Sequence, residues 1–429
     1  MGTVGVGLIG LGTVGGGVVE VFRRHREDFV RRAGVDVQLV RFADRDTARA
    51  DALGLPADRF TTEAADVIAD PDVDIVIELI GGTGVARQVV LDALHAGKSV
   101  VTANKALMAA HGQEVMEAAA AAGVDVMFEA AVGGGIPIIS PLKHCLVSNE
   151  ILSVAGIVNG TTNYVLTRMS DGGIDYETAV AEAQAKGFAE ADPTADVDGH
   201  DAAAKIAILA SIAFNSRVTV DQVPVEGIRS LTPVDIGYAA EMGYAIKLMA
   251  IARRAEDGID VRVHPTMIPV SHPLAKVSGV YNAIYVTGDV VGETMFFGEG
   301  AGSLPAASAV VGDVIEVARH IRSGCLNLVG CTCNEHLPVR DLEQLTSAYY
   351  LRLVVADQPG VLAQVAGAFG DHGVSVASVI QKRLCGSGEA EIVWVTHAAW
   401  ERDLRAALAS IRALGAVSAV AAVIRVEEL

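Results

Sequence analysis

Cysteine is scarce in this sequence of 429 residues. Cys145, Cys325, Cys331, Cys333 and Cys385 are too few for a disulfide framework and fit a reducing compartment. The Cys331-Thr332-Cys333 pair has no second ligand pair at zinc spacing, so it reads as ordinary thiols. Positive charge is in deficit: 33 Lys and Arg face 52 Asp and Glu, a formal charge of −19. Such a chain repels polyphosphate, which argues against a nucleic-acid partner. Nowhere do 18 apolar residues run unbroken, so no membrane-spanning helix is expected. The first 19 residues carry no charge, yet they lack a basic start and hold eight glycines, which is not a secretory signal. Gly2 is followed by Val6 where myristoylation prefers Ser or Thr. The expectation is a soluble, cytoplasmic protein with no membrane partner.

Apolar residues make up 51% of the chain, enough for a sizeable core. The length suggests roughly two to four domains. Glycine is abundant at 45 residues while aromatics are 5%, which favours an α/β protein with many tight strand–helix turns.

Residues 3–9 read as a buried strand, followed at once by Gly10-Leu11-Gly12-Thr13-Val14-Gly15 and then by a helical stripe of Val14, Val18, Val19, Val21 and Phe22. Strand, Gly-x-Gly-x-x-Gly and helix, in that order, form the context of a dinucleotide fingerprint. The first Gly permits the turn, the second lets a pyrophosphate approach the backbone, and the third packs helix on strand. Further strands are expected at 35–43, 74–80, 98–102 and 124–128, with helices at 84–96 and 105–122. Alternating strands and helices predict a parallel, doubly wound sheet over residues 1–135. Ligands in such sheets sit at the carboxyl ends of strands, where Asp44, Lys105 and Glu129 stand in apolar company. Asp44 suits ribose hydroxyls and hence NAD, although it lies 29 residues past Gly15. The adjacent Arg45 suits a 2′-phosphate instead, so NAD against NADP stays open.

Residues 136–299 differ in texture. A strand at 154–159 leads into Gly160-Thr161-Thr162-Asn163. Helices are expected at 175–186, 201–214 and 235–255, then β-rich sequence from 261 to 297. This reads as an α+β substrate and oligomerisation domain. Gly302 and an apolar helix at 306–322 return the chain, over 300–325, to the first domain, and 326–347 reads as a linker. From 348 to 429 the pattern is βαββαβ, a ferredoxin-like unit.

The stretch from Ala183 to Lys205 carries the most chemistry. Glu190, Asp192, Asp196, Asp198 and Asp201 cluster before a helix that is otherwise almost wholly apolar. Asp201 and Lys205 lie four apart on one face, acid first. Apolar neighbours on nearly all sides imply burial, and a buried lysine is costly unless paired. Carboxylates here suit a substrate ammonium, and the lysine suits a reacting oxygen.

The segment Ala183-x3-Gly187-Phe188-Ala189-x2-Asp192-Pro193-x2-Asp196-Val197-x-Gly199-x-Asp201-x3-Lys205 resembles the signature of homoserine dehydrogenases. The fingerprint, Thr102-Ala103-Asn104-Lys105, Glu129 to Pro137 and Asn159 to Tyr164 are similar to that family in the same order. Asp357-x-Pro359-Gly360-Val361-Leu362 resembles the start of an ACT module, an amino-acid-sensing ferredoxin-like unit. The likeness covers essentially the whole chain.

The resemblance implies a Rossmann-like domain, a substrate domain and a regulatory tail. It implies reversible conversion of L-homoserine to L-aspartate 4-semialdehyde with NAD or NADP, on the route to threonine, isoleucine and methionine. Glu190 would bind the substrate ammonium, with Asp196 and Asp201 in support and Gly160 and Thr161 touching the substrate. Lys205 would be the acid/base, with Lys105 as its rival; either must accept the hydroxyl proton or hydrogen-bond the developing alkoxide. Gly10, Gly12, Thr13, Val14, Gly15 and Gly302 would approach the cofactor. A monovalent cation, sodium, is implied on the Glu129 carboxylate and the carbonyls of Val132, Gly134 and Ile136, because hard cations want oxygen ligands. A plain turn-capping carboxylate is the other reading. Threonine is implied as an effector between paired modules near Asp357, Gly360, Gly373 and Ser375, in a homo-oligomer, a dimer or tetramer. Two other readings remain. One is another nicotinamide dehydrogenase with an ACT module, which would want a His/Glu pair that is not found near 183–205. The other is a non-catalytic sensor, which would not need the Asp201/Lys205 pair.

Overall fold

The computed structural model describes residues 3–383 and 388–428. Gly2 and Cys385 lie outside them. Two compact units emerge: residues 1–154, 204–222 and 281–337 form one, and 155–203, 223–280 and 338–429 the other.

The first unit is built on a six-stranded sheet. Its strands are β1 (Thr3–Ile9), β2 (Asp36–Ala43), β3 (Phe60–Thr61), β4 (Ile75–Glu78), β5 (Ser99–Thr102) and β6 (Val126–Met127), in the order β3-β2-β1-β4-β5-β6. All pairings are parallel. The order turns around at β1, so the crevice past the carboxyl ends of β1 and β4 is the switch point where such sheets take ligands. Helices α1 (Thr13–Ala33), α2 (Thr47–Ala52), α3 (Ala64–Ala69), α4 (Val85–His95) and α5 (Lys105–Ala122) connect the strands. The helix Ser303–Ser323 returns to pack on α1. Its Val310, Val314 and Val317 join Val6, Leu8, Val18, Phe22 and Ile77 in one core. Burial of each such side chain contributes ~1.5–3 kcal/mol. Strands Tyr281–Gly288 and Gly292–Glu299 form an antiparallel hairpin in the same unit.

The second unit holds the helices Gly160–Gly172, Tyr176–Ala185 and Pro233–Glu241 and a long hairpin of strands Tyr244–Ala255 and Gly258–Pro269. Here the expected helix over 235–255 is corrected. Helix ends at Glu241, Gly243 follows at φ +80°, and the remainder is strand. The run 246–252 is buried on both faces, and such a run does not distinguish a strand from a helix by periodicity. The hairpin turns at Glu256-Asp257, and the Asp257-Gly258 pair was the better signal. A helix over Gly160–Gly172 was not anticipated; Asn159 caps it.

The C-terminal strands Thr346–Ala356, Val376–Arg383, Glu389–Thr396 and Val417–Val426 and the helices Val361–Asp371 and Glu401–Arg412 make the βαββαβ unit. Its core holds Leu353, Phe369, Trp394 and Leu404. Strand Val417–Val426 also pairs in parallel with Gly258–Pro269, through Arg425 to Thr266 and Val426 to Met267. The sheet of the module therefore continues into the hairpin. Within residues 326–347, expected as a linker, Pro338 O accepts from Ile259 N at 2.8 Å and Arg340 pairs with Asp260 at 2.9 Å, which fastens this stretch to the hairpin. No helix among the described residues is long and apolar enough to cross a membrane.

Candidate active site

In the first unit the fingerprint closes as its glycines require. Gly10 sits at φ +99°, and a Cβ there would lie 2.6 Å from Leu79 O. A Cβ on Gly15 would lie 2.1 Å from Gly10 O. The strand-to-helix turn is thus open to glycine alone. Gly12 is the N-cap of α1 and makes no side-chain cap, so the first N–H groups of α1 point where a phosphate would sit. Thr13 is exposed and Val14 half-buried on that first turn. Gly302, at φ +126°, is the N-cap of the 303–323 helix. Ser303 Oγ donates to Thr13 O at 2.7 Å, which brings this second glycine beside the fingerprint.

A cavity of ≈ 800 Å³ opens past the strand ends, lined by Gly10, Gly12, Asp44, Arg45, Arg49 and Gly81 among others. That volume suits a nucleotide. The Asp44 carboxylate is engaged by the chain itself. Oδ2 accepts from Leu11 N at 2.7 Å and Arg49 Nη1 at 3.3 Å, and Oδ1 accepts from Asp46 N at 2.9 Å. Burial pushes this carboxyl up, but the two amides and the Arg49 guanidinium outweigh it and hold the pKa below the usual range. Arg45 is exposed. Arg49 was not expected from the sequence; it stands on α2, whose N-cap is Asp46, and the available signal was a second arginine four residues after Arg45.

Lys105 opens α5 and is exposed. Its turn is held by a buried network the sequence reading missed. Glu78, fully buried at the end of β4, accepts from Ile80 N (2.7 Å) and Gly81 N (3.1 Å) on Oε1. Thr102 Oγ1 donates to its Oε2 at 2.7 Å, and Asn104 Nδ2 lies 3.4 Å away. Asn104 also donates to Gly82 O at 2.8 Å and caps α5 through Leu107 N. One carboxylate thus fixes the ends of β4 and β5 together. Its signal was a Glu closing an otherwise apolar strand before Gly81-Gly82.

The Glu129 carboxylate accepts three backbone N–H groups: Ile138 (2.5 Å) and Ile139 (2.8 Å) on Oε1, and Ser140 (2.7 Å) on Oε2. Its own N–H donates to Asp313 Oδ2 at 2.8 Å. The carboxylate thus folds the 130–140 loop, as the turn-capping reading expects. Gly133 and Gly134, at φ +75° and +56°, reverse the chain between them, and a Cβ on Gly134 would lie 2.5 Å from Gly300 O. Val132 and Ile136 are buried on the same loop. Burial drives the Asp313 carboxyl well above its ordinary pKa. No group of three or more His, Cys, Asp or Glu able to hold a metal occurs among the described residues.

The helix His200–Ala213 carries Asp201 and Lys205, and both are buried, 7% and 8% exposed. Lys205 therefore does not point into bulk water.

In the second unit Asn159 is the organiser. Its Oδ1 accepts from Thr162 N at 2.9 Å and so caps the Gly160–Gly172 helix. Its Nδ2 donates to Asp196 Oδ1 at 2.7 Å and to Asp201 Oδ2 at 2.8 Å. One amide thus joins the Gly160-Thr161 turn to two of the expected carboxylates. Thr161 Oγ1 donates to Phe188 O at 2.7 Å, and Gln184 Nε2 donates to Glu190 O at 3.0 Å, which pins the loop carrying Glu190. Glu190 itself is exposed. Asp192 and Asp198 are used locally, by Thr194 and by Arg229.

The four expected effector residues do not come together within one module. Gly360, at φ +91°, caps the 361–371 helix just past Ala356, and Ala356 registers with Glu389. Asp357 N donates to Gly388 O at this end. Ser375 O instead accepts from His397 N, beside the Val376–Thr396 register, and Gly373 lies next to it at φ +72°. These are opposite ends of strands about 20 Å long.

Known proteins resemble the chain over its whole length. Family models match in sequence: a homoserine dehydrogenase NAD-binding domain over residues 10–129, homoserine dehydrogenase over 137–315, and an ACT domain over 349–416. The homoserine dehydrogenase of Synechocystis is 48% identical over 99% of both chains. That of Corynebacterium glutamicum is 45% identical over 99% of this chain and 96% of its own. The crystal structure of a homoserine dehydrogenase from Thiobacillus denitrificans superposes with a TM-score of 0.95 at 46% identity, covering 100% and 99% of the two chains. A hyperthermophilic archaeal homoserine dehydrogenase solved with NADPH covers 74% of this chain and 98% of its own, with a TM-score of 0.64 and 26% identity. The chain belongs to the homoserine dehydrogenase family and carries a C-terminal ACT domain.

Proposed function

We propose that the chain oxidises L-homoserine to L-aspartate 4-semialdehyde, and reduces it back, with the residues assembled above in the following roles. The observation that carries this reading is the Asn159 amide, which holds Asp196 and Asp201 against the Gly160-Thr161 turn. A carboxylate pair so placed suits the substrate ammonium, and the exposed Glu190 on its pinned loop adds a third. Oxidation removes a hydride from the alcohol carbon and a proton from its oxygen. The nicotinamide, when bound, supplies the hydride acceptor. Lys205 Nζ, sunk in an apolar helix, takes the proton or hydrogen-bonds the alkoxide as it forms. Lys105, on the turn that the Glu78–Asn104 network holds, is the second candidate.

For the cofactor we favour NADP(H). Asp44, the residue suited to ribose hydroxyls, spends its carboxylate on Leu11, Asp46 and Arg49, while Arg45 and Arg49 line the same cavity. The exposed Arg45 guanidinium suits a 2′-phosphate, and Arg49, which also pairs with Asp44 and Asp46 at 3.3 Å each, adds positive charge beside it. A monovalent cation on the 129–136 loop would be held by the carbonyls of Val132, Gly134 and Ile136; the Glu129 carboxylate, engaged by three amides, fits the part of loop former. Threonine as an effector would need two modules, one giving Asp357 and Gly360 and another Gly373 and Ser375, consistent with a homo-oligomer. The test is homoserine-dependent reduction of NADP⁺ and of NAD⁺, with and without threonine. No turnover with either cofactor refutes the reading, and faster use of NAD⁺ at equal concentration refutes the cofactor preference.

A further inference from the structure

One built cavity serves none of these roles. It measures ≈ 440 Å³ and lies along the helix Glu401–Arg412, with strand Val417–Val426 behind it. Glu401, Leu404, Arg405, Leu408 and Arg412 recur at helical spacing, so a single face of this helix lines it. Arg425 and Glu401 form the buried centre, their side chains 8% and 7% exposed and 2.9 Å apart. Tyr349 OH donates to Glu401 Oε2 at 2.7 Å. Arg425 Nη1 reaches in the other direction to Glu226 Oε1 at 2.9 Å, on the segment before the long hairpin. Arg405 gives its Nε to Glu401 at 3.1 Å, and both Arg405 and Arg412 reach solvent at the mouth. The lining holds three guanidinium groups, two carboxylates and an apolar floor of Leu404, Leu408 and Val423. It includes none of Asp357, Gly360, Gly373 or Ser375.

We propose that this cavity is a second amino-acid site on the regulatory module, separate from the 357–360 turn, and that it takes an aliphatic α-amino acid as the zwitterion. The ligand carboxylate faces Arg405 and Arg412, which offer planar donor pairs. The ammonium faces Glu226, whose side chain is half exposed. The hydrocarbon side chain lies on the leucine floor. The placement gives the site a route to the rest of its unit. Glu226 N donates to Val263 O at 2.8 Å, and Arg425 registers with Thr266, so both partners of the Arg425–Glu226 pair lie against the Gly258–Pro269 strand. An ammonium at Glu226 competes with Arg425 for one carboxylate and so acts on the seam where the module joins that sheet.

The proposal does not depend on the dehydrogenase reading, because its test is binding. Isothermal titration calorimetry of the full chain with L-isoleucine and L-leucine should give saturable heats, while isovalerate and isobutylamine, each lacking one charged group, should give none. Arg412→Glu, at an exposed position, should weaken binding at least ~10-fold, and Asp357→Ala should leave it within about 2-fold. Absence of a saturable heat with either amino acid overturns the proposal. So does wild-type binding by Arg412→Glu, or loss of binding through Asp357→Ala.

Discussion

Replacing Asn159 by serine separates the two jobs of one side chain. Serine caps a helix about as well as asparagine, so the Gly160–Gly172 helix keeps its start. The two bonds from Nδ2 to Asp196 and Asp201, at 2.7 and 2.8 Å, are lost. Hydrogen bonds to charged groups contribute ~1.5–3 kcal/mol each, so the pair is worth about 3–6 kcal/mol as an upper bound. Asp196 is half-buried and regains water, whereas Asp201 is 7% exposed and does not. A net loss of about 2–4 kcal/mol remains, read as a fall in Tm of roughly 4–16 °C if each kcal/mol moves a large domain by 2–4 °C. Catalysis should suffer separately, because two carboxylates freed from their clamp no longer present a fixed pair to the substrate. A misplacement of that kind costs ~10²-fold in kcat/KM for homoserine. Initial rates of homoserine oxidation, followed by reduced-nicotinamide absorbance, and a thermal melt give both numbers. A variant with unchanged Tm and kcat/KM within about 3-fold of wild type would show that Asn159 organises nothing, and the carboxylate pair would lose its support.

Lys205→Met should lower kcat at least ~10²-fold with cofactor affinity nearly unchanged; a mild loss, with a large one for Lys105→Met, would transfer the proton to Lys105. Arg45→Ala combined with Arg49→Ala should raise KM for NADP⁺ about 10-fold or more and leave that for NAD⁺ within about 2-fold; equal effects on both would sink the 2′-phosphate assignment. Lys247, 6% exposed, donates to Val277 O at 2.6 Å, and burial lowers its pKa from 10.5 to about 8 against the raising effect of Asp171. Because the unfolded chain binds the extra proton between pH 8 and 10.5, stability rises with pH over that window, by up to about 3 kcal/mol. Denaturant melts should show this rise relative to Lys247→Met, and parallel profiles would contradict the burial argument. Arg352→Ala should cost about 3–5 kcal/mol, since it strands the fully buried Asp235, which Arg352 grips at 2.7 and 3.1 Å; the double change Arg352→Met with Asp235→Leu should recover most of that, and no recovery would argue against an ion-pair origin.

What could be read from the residues was what sterics or composition makes unambiguous. The fingerprint was legible because Gly10 and Gly15 stand where a Cβ would strike backbone oxygen. The ACT elements 361–371, 389–396 and 417–426 fall on their expected bounds because each is ended by glycine, proline or a charged turn. The strand 244–255 was illegible as a strand, since burial of both faces erases the period-2 alternation. The burial of Asp201 and Lys205 was legible because both types are costly to bury and their helix is otherwise almost wholly apolar. Supporting residues were not: Asn159, Asn104 and Glu78 act through partners up to 42 residues away, and no local spacing announces such pairs.

The way the module joins its unit bears on the effector binding proposed above. A domain on a free tether signals only by concentration or occlusion, whereas this one shares strand pairing with the 258–269 strand and is bolted to the 233–241 helix by Arg352–Asp235 and by Tyr238 to Glu391 at 2.9 Å. An effector shifts an equilibrium only by its differential affinity for two states, and a coupling of 5–150-fold corresponds to about 1–3 kcal/mol. Breaking a buried ion pair costs about 3–5 kcal/mol, more than that allowance, so Arg352–Asp235 should persist in both states. The Arg425–Glu226 pair, whose Glu226 side is half exposed, lies within reach of such an energy. Hydrogen exchange with and without effector should therefore change along the 417–426 and 258–269 strands and leave the 233–241 helix unaltered; a change confined to that helix would place the hinge on the wrong side of the module.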